Sequence, residues 1–210
     1  IRWQEGEYVE GRKMQIPEGL SVYGLTLATL GPGGTEKVIA LNEDDYLNIY
    51  EHTDKPLSLV AIFGGSKELF WKSDDVFGGS NIFIDPLSES SLKLSEMDAA
   101  VSYINHRIIG YDTNQDGKRE FIIVKNISST ARTFQRIKLF NSAEIYNIEW
   151  DGMGMVENWR TKKISGYVAD YQFKDIDNNG ENEVVLALVL TSGGATKGRS
   201  VIISYSLKGQ

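Results

Sequence analysis

The sequence predicts an all-β fold, and three observations support this prediction. Short apolar or alternating runs recur along the 210 residues, as expected for β-strands. Glycine pairs at 33–34, 64–65, 78–79 and 193–194 separate several of these runs and favour turns. Helical periodicity is weak, and residues 88–98, which have some helical character, are polar and are predicted to form a loop inserted between strands.

Nine segments have the composition of strands, being rich in Val, Ile, Leu and aromatic residues. Residues 201–207 alternate, which places Val201, Ile203 and Tyr205 on one predicted face. Residues 184–190 are apolar throughout, so we expect both faces of that strand to be covered. The predicted strands comprise residues 38–41, 46–50, 57–63, 81–84, 121–124, 133–140, 145–150, 183–190 and 201–207.

Composition narrows the classes of function. The chain has 22 Lys and Arg residues against 29 Asp and Glu residues, and this formal net charge of −7 disfavours binding to nucleic-acid phosphates. It has no cysteine, which excludes disulfides, thiolate catalysis and cysteine-ligated metal centres. No run approaches the ~18 apolar residues of a membrane span, and the N-terminal residues lack a signal-peptide core. Because the first residue is not methionine, we expect a processed chain or a part of a longer protein.

An Asp-rich segment occurs twice with identical spacing. Residues 111–124 align without gaps with residues 174–187, an offset of 63 residues. A third, more distant copy near Thr29 keeps the glycine, at Gly34, and the apolar run that follows it. That copy lacks the acids, so we predict no metal there. The repeats divide the chain, which is predicted to be one domain of residues 1–210, into approximate units of residues 20–100, 101–163 and 164–210.

Each Asp-rich copy offers a set of oxygen ligands. The pattern is Asp-x-Asn/Asp-x-Asp/Asn-Gly-x-x-Glu, and alternate residues of a tight loop direct their oxygens to a common centre. The glycine allows a positive φ at low cost, and the seventh residue can add its backbone carbonyl. Such hard oxygen ligands suit Ca²⁺ at about 2.3–2.6 Å, and the absence of histidine from both loops argues against zinc or copper. We predict two Ca²⁺ sites, the first formed by Asp112, Asn114, Asp116, Lys118 (carbonyl) and Glu120, and the second by Asp175, Asp177, Asn179, Glu181 (carbonyl) and Glu183.

Two alternatives compete with this interpretation of the loops. An EF-hand requires a bidentate glutamate at the twelfth position and a helix on each side, but the twelfth positions here are Ile123 and Leu186 and strand sequence follows each loop. A surface turn rich in Asp, Asn and Gly is common in proteins and remains open. Two copies with the same spacing, each ending in glutamate before an apolar strand, favour calcium, with the stapling of loops as its role.

The two loops resemble the calcium-binding repeat of FG-GAP/VCBS-type β-propellers, which are related to the propeller of integrin α chains. The resemblance is greatest for bacterial envelope proteins with FG-GAP repeats, and it runs across nearly the whole chain. It implies a partial or small β-propeller whose Asp-rich calcium loops lead into inner strands, and a periplasmic, outer-envelope or secreted location. Besides the loops, it is based on residues 68–73, 77–80, 107–112, 148–154 and 159–171.

The loops and the resemblance together predict an extracytoplasmic calcium-binding module. It would act as a binding or scaffold domain for an unknown protein or glycan ligand, for example in envelope assembly, and not as an enzyme. A lectin-like or polysaccharide-active propeller domain is the alternative, and hydrolysis would require two metal-free carboxylates about 5–10 Å apart. The acids available for such a pair are Glu43, Asp44, Asp45, Asp74, Asp75 and Asp170.

The repeat length also predicts whether the chain can form a closed propeller ring. About 3.3 repeats of 63 residues fit in 210 residues, whereas closed propellers have about four to eight blades. We therefore expect a partial ring, or a short ring of irregular blades whose first strands pair with the last. A partial ring would self-associate or pair with missing blades, because exposed edge strands otherwise remain uncovered.

Several other sequence features resemble functional motifs but are predicted to have structural roles. Residues 193–200 resemble a phosphate-binding P-loop, but Arg199 replaces the essential lysine and strand sequence follows, so a hairpin loop is predicted. His52 and His106 are interpreted as surface or partly buried polar residues, because no Gly-x-Ser-x-Gly nucleophile motif accompanies them. The other predictions are a hairpin turn at Asp151-Gly152, a glycosylation pattern at Asn126, and packing between blades for Trp3, Trp71, Trp150 and Trp159.

Overall fold

The computed structural model describes residues 2–10, 17, 20–31, 33–51, 69–84, 102–128, 139–190 and 198–207. Most of these residues lie in β-strands, and all pairings between the strands are antiparallel. This described part of the chain contains no α-helix and one 3₁₀ turn, Val22–Gly24. The all-β prediction is therefore confirmed.

The first part of the chain forms a hairpin, β1 (Arg2–Gln4) and β2 (Glu7–Val9), followed by a four-stranded sheet. In this first sheet, neighbours in sequence are neighbours in space: β3 (Leu25–Thr29), β4 (Glu36–Leu41), β5 (Tyr46–Glu51) and β6 (Leu69–Val76). The central strands β4 and β5 match the strands predicted at 38–41 and 46–50. Strands β3 and β6 lie at the edges and were not predicted, because an edge strand half exposed to water lacks a continuous apolar run.

The second sheet follows a short antiparallel pair of two-residue strands, β7 (Phe83–Ile84) and β8 (Ser102–Tyr103). It contains β9 (Ile109–Tyr111), β10 (Glu120–Ser128), β11 (Phe140–Trp150) and β12 (Met155–Arg160), again in sequential order. Strand β11 is long enough to pair with β12 along one part and with β13 (Ile164–Ser165) along another. The third sheet has the order β14 (Tyr167–Lys174), β15 (Glu183–Leu190) and β16 (Arg199–Ser206).

The three sheets repeat one topology. In each sheet the first strand leads through a loop of several residues into the buried second strand. These connections are residues 30–35, 112–119 and 175–182, so both Asp-rich loops and the acid-free third copy occupy equivalent places. The three sheets lie within the predicted repeat units, except that Ile164–Ser165 pairs with the second sheet.

The second sheet lies between the first and the third. Because side chains alternate along β10, Phe121 and Ile123 belong to a buried cluster with the first sheet, whereas Ile122 and Val124 belong to a cluster with the third. All four side chains are fully buried. Two apolar layers therefore lie on opposite faces of the second sheet. A third, smaller buried cluster belongs to the first sheet alone and consists of Val38, Ala40 and Tyr50.

A glycine pair joins the first sheet to the second. The Gly78 N–H donates to the Val124 carbonyl at 2.5 Å, and the Asn126 N–H donates back to the Gly78 carbonyl at 2.8 Å. Both glycines have positive φ, 71° at Gly78 and 80° at Gly79. A Cβ at Gly78 would lie 2.7 Å from Leu41 Cδ1, so this close approach of the chain to the core requires glycine.

The coverage predicted for both faces of β15 is observed in part. Val184, Leu186 and Leu188 are buried against the second sheet, but Val185, Ala187 and Val189 on the opposite face are only partly buried. On that face the paired strand β16 exposes 70% of the Ile202 side chain. An apolar run therefore indicates here one fully covered face and one partly covered face.

Some sequence predictions fall on residues that the structure does not describe. They concern the strand at 57–63, most of the strand at 133–140, the loop at 88–98, His52 and most of the P-loop-like segment. Of the strand predicted at 81–84, Phe83–Ile84 is present as β7. Arg199 lies at the start of β16, in agreement with the strand expected after the P-loop-like segment.

Candidate metal centres

The structure brings the acids of each Asp-rich loop together. One carboxylate oxygen from each of Asp112, Asp116 and Glu120 lies within 4.8 Å of the other two. The second loop places Asp175, Asp177 and Glu183 within the same limit. In both loops the glutamate is the first residue of a buried strand, and the aspartates lie towards solvent. Both triads can therefore hold a metal ion.

The two loops have the same backbone conformation. Each contains two residues with positive φ, at the fourth and sixth positions: Gln115 at 62° and Gly117 at 85°, and Asn178 at 60° and Gly180 at 88°. The glycine N–H donates to the first aspartate of its loop in both cases, at 3.0 Å in the first loop and 2.9 Å in the second. The left-handed backbone turns the chain around a common centre, which is why the sequence pattern contains glycine there.

Side-chain oxygens at the first, third and fifth positions accept hydrogen bonds from the loop backbone. In the first loop the Asp116 N–H donates to Asp112 Oδ1 at 3.1 Å and to Asn114 Oδ1 at 3.0 Å. The Lys118 N–H donates to Asp116 Oδ1 at 2.8 Å. These bonds turn the oxygens inward, and a carboxylate or amide oxygen retains a further lone pair for a cation. The second loop repeats the bonds with Asp175, Asp177, Asn179 and Glu181.

The glutamate that ends the first loop provides the most informative contact. Glu120 is fully buried, and its Oε2 accepts hydrogen bonds from both the backbone N–H and the hydroxyl of Thr113. Its other oxygen, Oε1, is buried and has no hydrogen-bond partner. A buried carboxylate oxygen without a partner is costly, and a bound cation at the acidic triad would satisfy it. The residues of this loop thus fit a metal ion.

The second loop has an equivalent glutamate. The Ile176 N–H donates to Glu183 Oε2 at 3.1 Å, which reproduces the contact between Thr113 and Glu120. Glu183 is only 6% exposed. The donor atoms of both loops are oxygens, the set that Ca²⁺ prefers, and neither loop contributes a nitrogen or sulfur ligand.

Polar residues that sequence reasoning missed surround the first triad. Asn147 Nδ2 donates to Thr113 Oγ1 at 3.3 Å, and Asn158 Nδ2 donates to Asn147 Oδ1 at 3.0 Å. Glu149 lies directly opposite Glu120 in the pairing of β10 with β11. The Glu149 carboxylate accepts a hydrogen bond from the Lys118 ammonium and raises the pKa of that lysine. No sequence motif marks Asn147, Glu149 and Asn158. Their place beside the loop depends on the register between strands, which is not known before the chain folds.

His106 and Asn126 link the second sheet to the third instead of forming a site. His106 is buried, which corrects its interpretation as a surface or partly buried residue, and its Nε2 lies 2.9 Å from the Val168 carbonyl. Burial lowers the pKa of His106. Asn126 Nδ2 donates to the carbonyls of Gly79 and Val168, and its Oδ1 accepts from the Val168 N–H at 3.0 Å. Asn126 is 8% exposed, so the asparagine of the glycosylation pattern forms a structural contact between buried segments.

The four tryptophans divide into two groups. Trp71, Trp150 and Trp159 are partly buried and pack against the apolar clusters on the two faces of the second sheet, and their packing between blades stays a prediction. Trp3 is 64% exposed, so the packing prediction is wrong for this residue. It lies on the β1–β2 hairpin in an edge-to-face contact with Tyr8, with 4.8 Å between ring centroids.

Two of the six acids considered for a catalytic pair form ion pairs within the described part of the chain. Asp170 forms an ion pair with Arg107 at 2.9 Å, and Asp75 forms an ion pair with Lys125. A separate aspartate, Asp151, stabilises the turn between β11 and β12. Its Oδ1 accepts hydrogen bonds from the N–H groups of Met153 and Gly154, which lower the pKa of Asp151. The predicted hairpin turn is therefore confirmed.

Within the described residues, no helix has the length and apolar character needed to cross a membrane. Comparisons of the chain with protein families, curated proteins and solved structures found no match. The function of the protein is therefore inferred from the geometry of the two loops.

Proposed function

We propose that the protein is an extracytoplasmic β-propeller module of the FG-GAP/VCBS type, in which two Ca²⁺ ions stabilise the loops and whose role is binding or scaffolding. The observation that carries the calcium assignment is the buried, unpartnered Oε1 of Glu120 within an acidic triad. The second loop has the same conformation and repeats the backbone hydrogen bonds of the first, so a single chance turn does not explain both loops.

The repeated sheets support the propeller. Three successive antiparallel sheets of sequential strands pack face to face, and each enters its buried second strand through an equivalent loop. Consecutive propeller blades have this arrangement. In this interpretation the two apolar layers are contacts between neighbouring blades, and the metal loops lie at the same edge of two blades.

Calcium would act on the protein through charge. Asp112, Asp116 and Glu120 would bind the ion in the first loop, and Asp175, Asp177 and Glu183 in the second, with Asn114, Asn179 and the carbonyls of Lys118 and Glu181 completing the sets. The ion supplies positive charge that offsets the repulsion of three carboxylates. Each site would stabilise the fold by about 2.7 kcal/mol at a hundredfold excess of Ca²⁺ over its Kd.

A location outside the cytoplasm is part of the proposal and is consistent with calcium sites of the strength typical of extracellular modules. Extracellular modules bind Ca²⁺ with Kd values of about 10⁻⁴–10⁻³ M, so they are occupied only where calcium is millimolar. A protein that depends on these loops would therefore lose stability in the cytoplasm. The partner would be a protein or glycan ligand.

A thermal melt tests the calcium proposal directly. We expect the midpoint to rise when EDTA is replaced by millimolar Ca²⁺, and to rise much less with Mg²⁺, which demands a smaller octahedral site. The double variant Asp116→Ala with Asp177→Ala should abolish the rise. An unchanged midpoint for the unaltered protein in Ca²⁺ would refute calcium binding.

Carbohydrate binding is the second candidate, and the exposed Trp3 favours it. An exposed indole beside Tyr8 can stack on the apolar face of a sugar ring. The test is a glycan array with the unaltered protein and with Trp3→Ala, using Trp159→Phe as a control within the core. A glycan signal that survives Trp3→Ala would count against this site.

A further inference from the structure

The two metal loops differ at several positions, and the side chain at the seventh position of the first loop lies beside the ligands. Lys118 occupies the seventh position of the first loop, and its Nζ lies 2.8 Å from Glu149 Oε1 and 3.8 Å from Asp116 Oδ2. Asp116 is one of the acids of the triad. A permanent positive charge is therefore already in place next to the centre that a metal ion would occupy.

The structure holds Lys118 in this position through Glu149. The Glu149 side chain is 13% exposed and belongs to the long strand β11, directly opposite Glu120. Its second oxygen accepts from Asn158 Nδ2 at 3.4 Å. Because Glu149 is fixed by the sheet, the ammonium group that binds it stays close to the first triad.

The second loop carries the opposite charge at the same position, where Glu181 replaces Lys118. The segment 112–120 has three acidic and two basic residues, a formal charge of −1. The segment 175–183 has four acidic residues and no basic residue, a formal charge of −4. Two loops with the same backbone thus present very different electrostatic potentials to a divalent cation.

We infer that Lys118 is a built-in counter-ion that weakens Ca²⁺ binding at the first loop, so that the second loop fills first as calcium rises. The inference depends on the proposed calcium role of both loops. Without Ca²⁺, Lys118 partly offsets the repulsion among the acids of the first loop. With Ca²⁺, the same charge opposes the ion, so the first site responds only at higher calcium concentrations.

The expected size of the effect is modest because Lys118 is half exposed. Charge pairs of this kind change a binding constant by about two- to fivefold, and inversion of the charge should change it by about tenfold. The backbone carbonyl at this position is retained in every variant, so the ligand set is unaltered.

Calorimetric titration of the full chain with CaCl₂ is the test. We expect two binding steps in the unaltered protein, and Lys118→Gln should tighten the weaker step by about two- to fivefold and leave the tighter step unchanged. The matched control Lys162→Gln removes the same charge from an exposed position after β12 and should change neither step. The exchange of charges, Lys118→Glu with Glu181→Lys, should reverse the order in which the loops fill.

Variants with one loop disabled assign the steps. Glu183→Gln with Asp177→Asn leaves the first loop alone, and in that background Lys118→Gln should still tighten binding. If Ca²⁺ binds at both loops but Lys118→Gln leaves the weaker step unchanged or weakens it, the counter-ion role is overturned while the calcium role stands. If no Ca²⁺ binds to the unaltered protein, both proposals fail together.

Discussion

Replacement of Glu120 by glutamine should have opposite effects on stability with and without calcium. In the absence of metal, Glu120 has one buried oxygen without a hydrogen-bond partner. One oxygen of the same carboxylate lies within 4.8 Å of oxygens from Asp112 and Asp116. Glutamine has nearly the same shape, and its carbonyl oxygen can keep the hydrogen bonds from Thr113. Its amide group would replace Oε1 and present donors to the two aspartates, so repulsion becomes attraction.

The magnitude follows from the separation of the charges. Two unit charges 4.8 Å apart interact with about 0.9 kcal/mol in water and about 3.5 kcal/mol at an effective dielectric constant of 20. The aspartates lie towards solvent, so we expect a gain of about 1–2 kcal/mol in the free energy of unfolding without metal. For a chain of this length, that gain raises the melting midpoint by about 2–8 °C.

Calcium should reverse this comparison. In saturating Ca²⁺ the unaltered protein gains the binding free energy of the first site, about 2.7 kcal/mol at a hundredfold excess over Kd, and Glu120→Gln loses most of it. Circular dichroism melts in EDTA and in millimolar Ca²⁺ measure both quantities on the same samples. The variant should melt above the unaltered protein in EDTA and below it in Ca²⁺.

Glu157→Gln is the matched control, because it removes an equal charge from an exposed position on β12 without removing a proposed ligand or the partner of Lys118. It should retain the stabilisation by Ca²⁺. If Glu120→Gln lowers the midpoint by the same amount in EDTA and in Ca²⁺, then Glu120 is only a hydrogen-bond acceptor for Thr113. The reasoning from its unpartnered oxygen would then be wrong.

Three further predictions concern the layer between the second and third sheets. Asn126→Ala should lower the free energy of unfolding by about 2–4 kcal/mol in urea titrations, because three hydrogen bonds to Gly79 and Val168 are lost between buried groups. Leu186→Ala should cost about 2–5 kcal/mol in the same titration, and Val185→Ala on the half-buried face clearly less. Burial lowers the pKa of His106, with Asp170 and Arg107 opposing each other nearby, so the unfolded chain takes up the proton first. Stability should therefore be full above about pH 6.5 and fall as the pH drops below it, a slope that melts between pH 7.5 and 5.5 would detect.

Each of these predictions has a clear contrary result. An Asn126→Ala protein as stable as the unaltered one would mean that its three hydrogen bonds are not maintained in solution. Equal losses for Leu186→Ala and Val185→Ala would mean that both faces of β15 are covered to the same extent. A pH slope that persists unchanged in His106→Gln would have to be assigned to another titrating group.

The predictions from sequence succeeded where the structure depends on residues that are close together in the chain. All ligand candidates of a loop lie within nine consecutive residues, so a single pattern of acids and glycine specifies the turn that gathers their oxygens. The central strands β4, β10 and β15 were predicted because burial requires apolar runs. The edge strands β3, β6 and β12 were missed, since a strand exposed on one side tolerates polar residues and carries little pattern.

The sequence by itself determined the all-β class, the repeated loop and the residues that can meet at each candidate metal centre. Only the tertiary structure decided which polar groups surround them. Glu149 lies 31 residues from Lys118 in the chain and meets it through the pairing of β10 with β11. Asn126 meets Val168 because two sheets stack. Such contacts depend on register and stacking, which are set by the sum of many apolar contacts across the fold and leave no motif in any one segment.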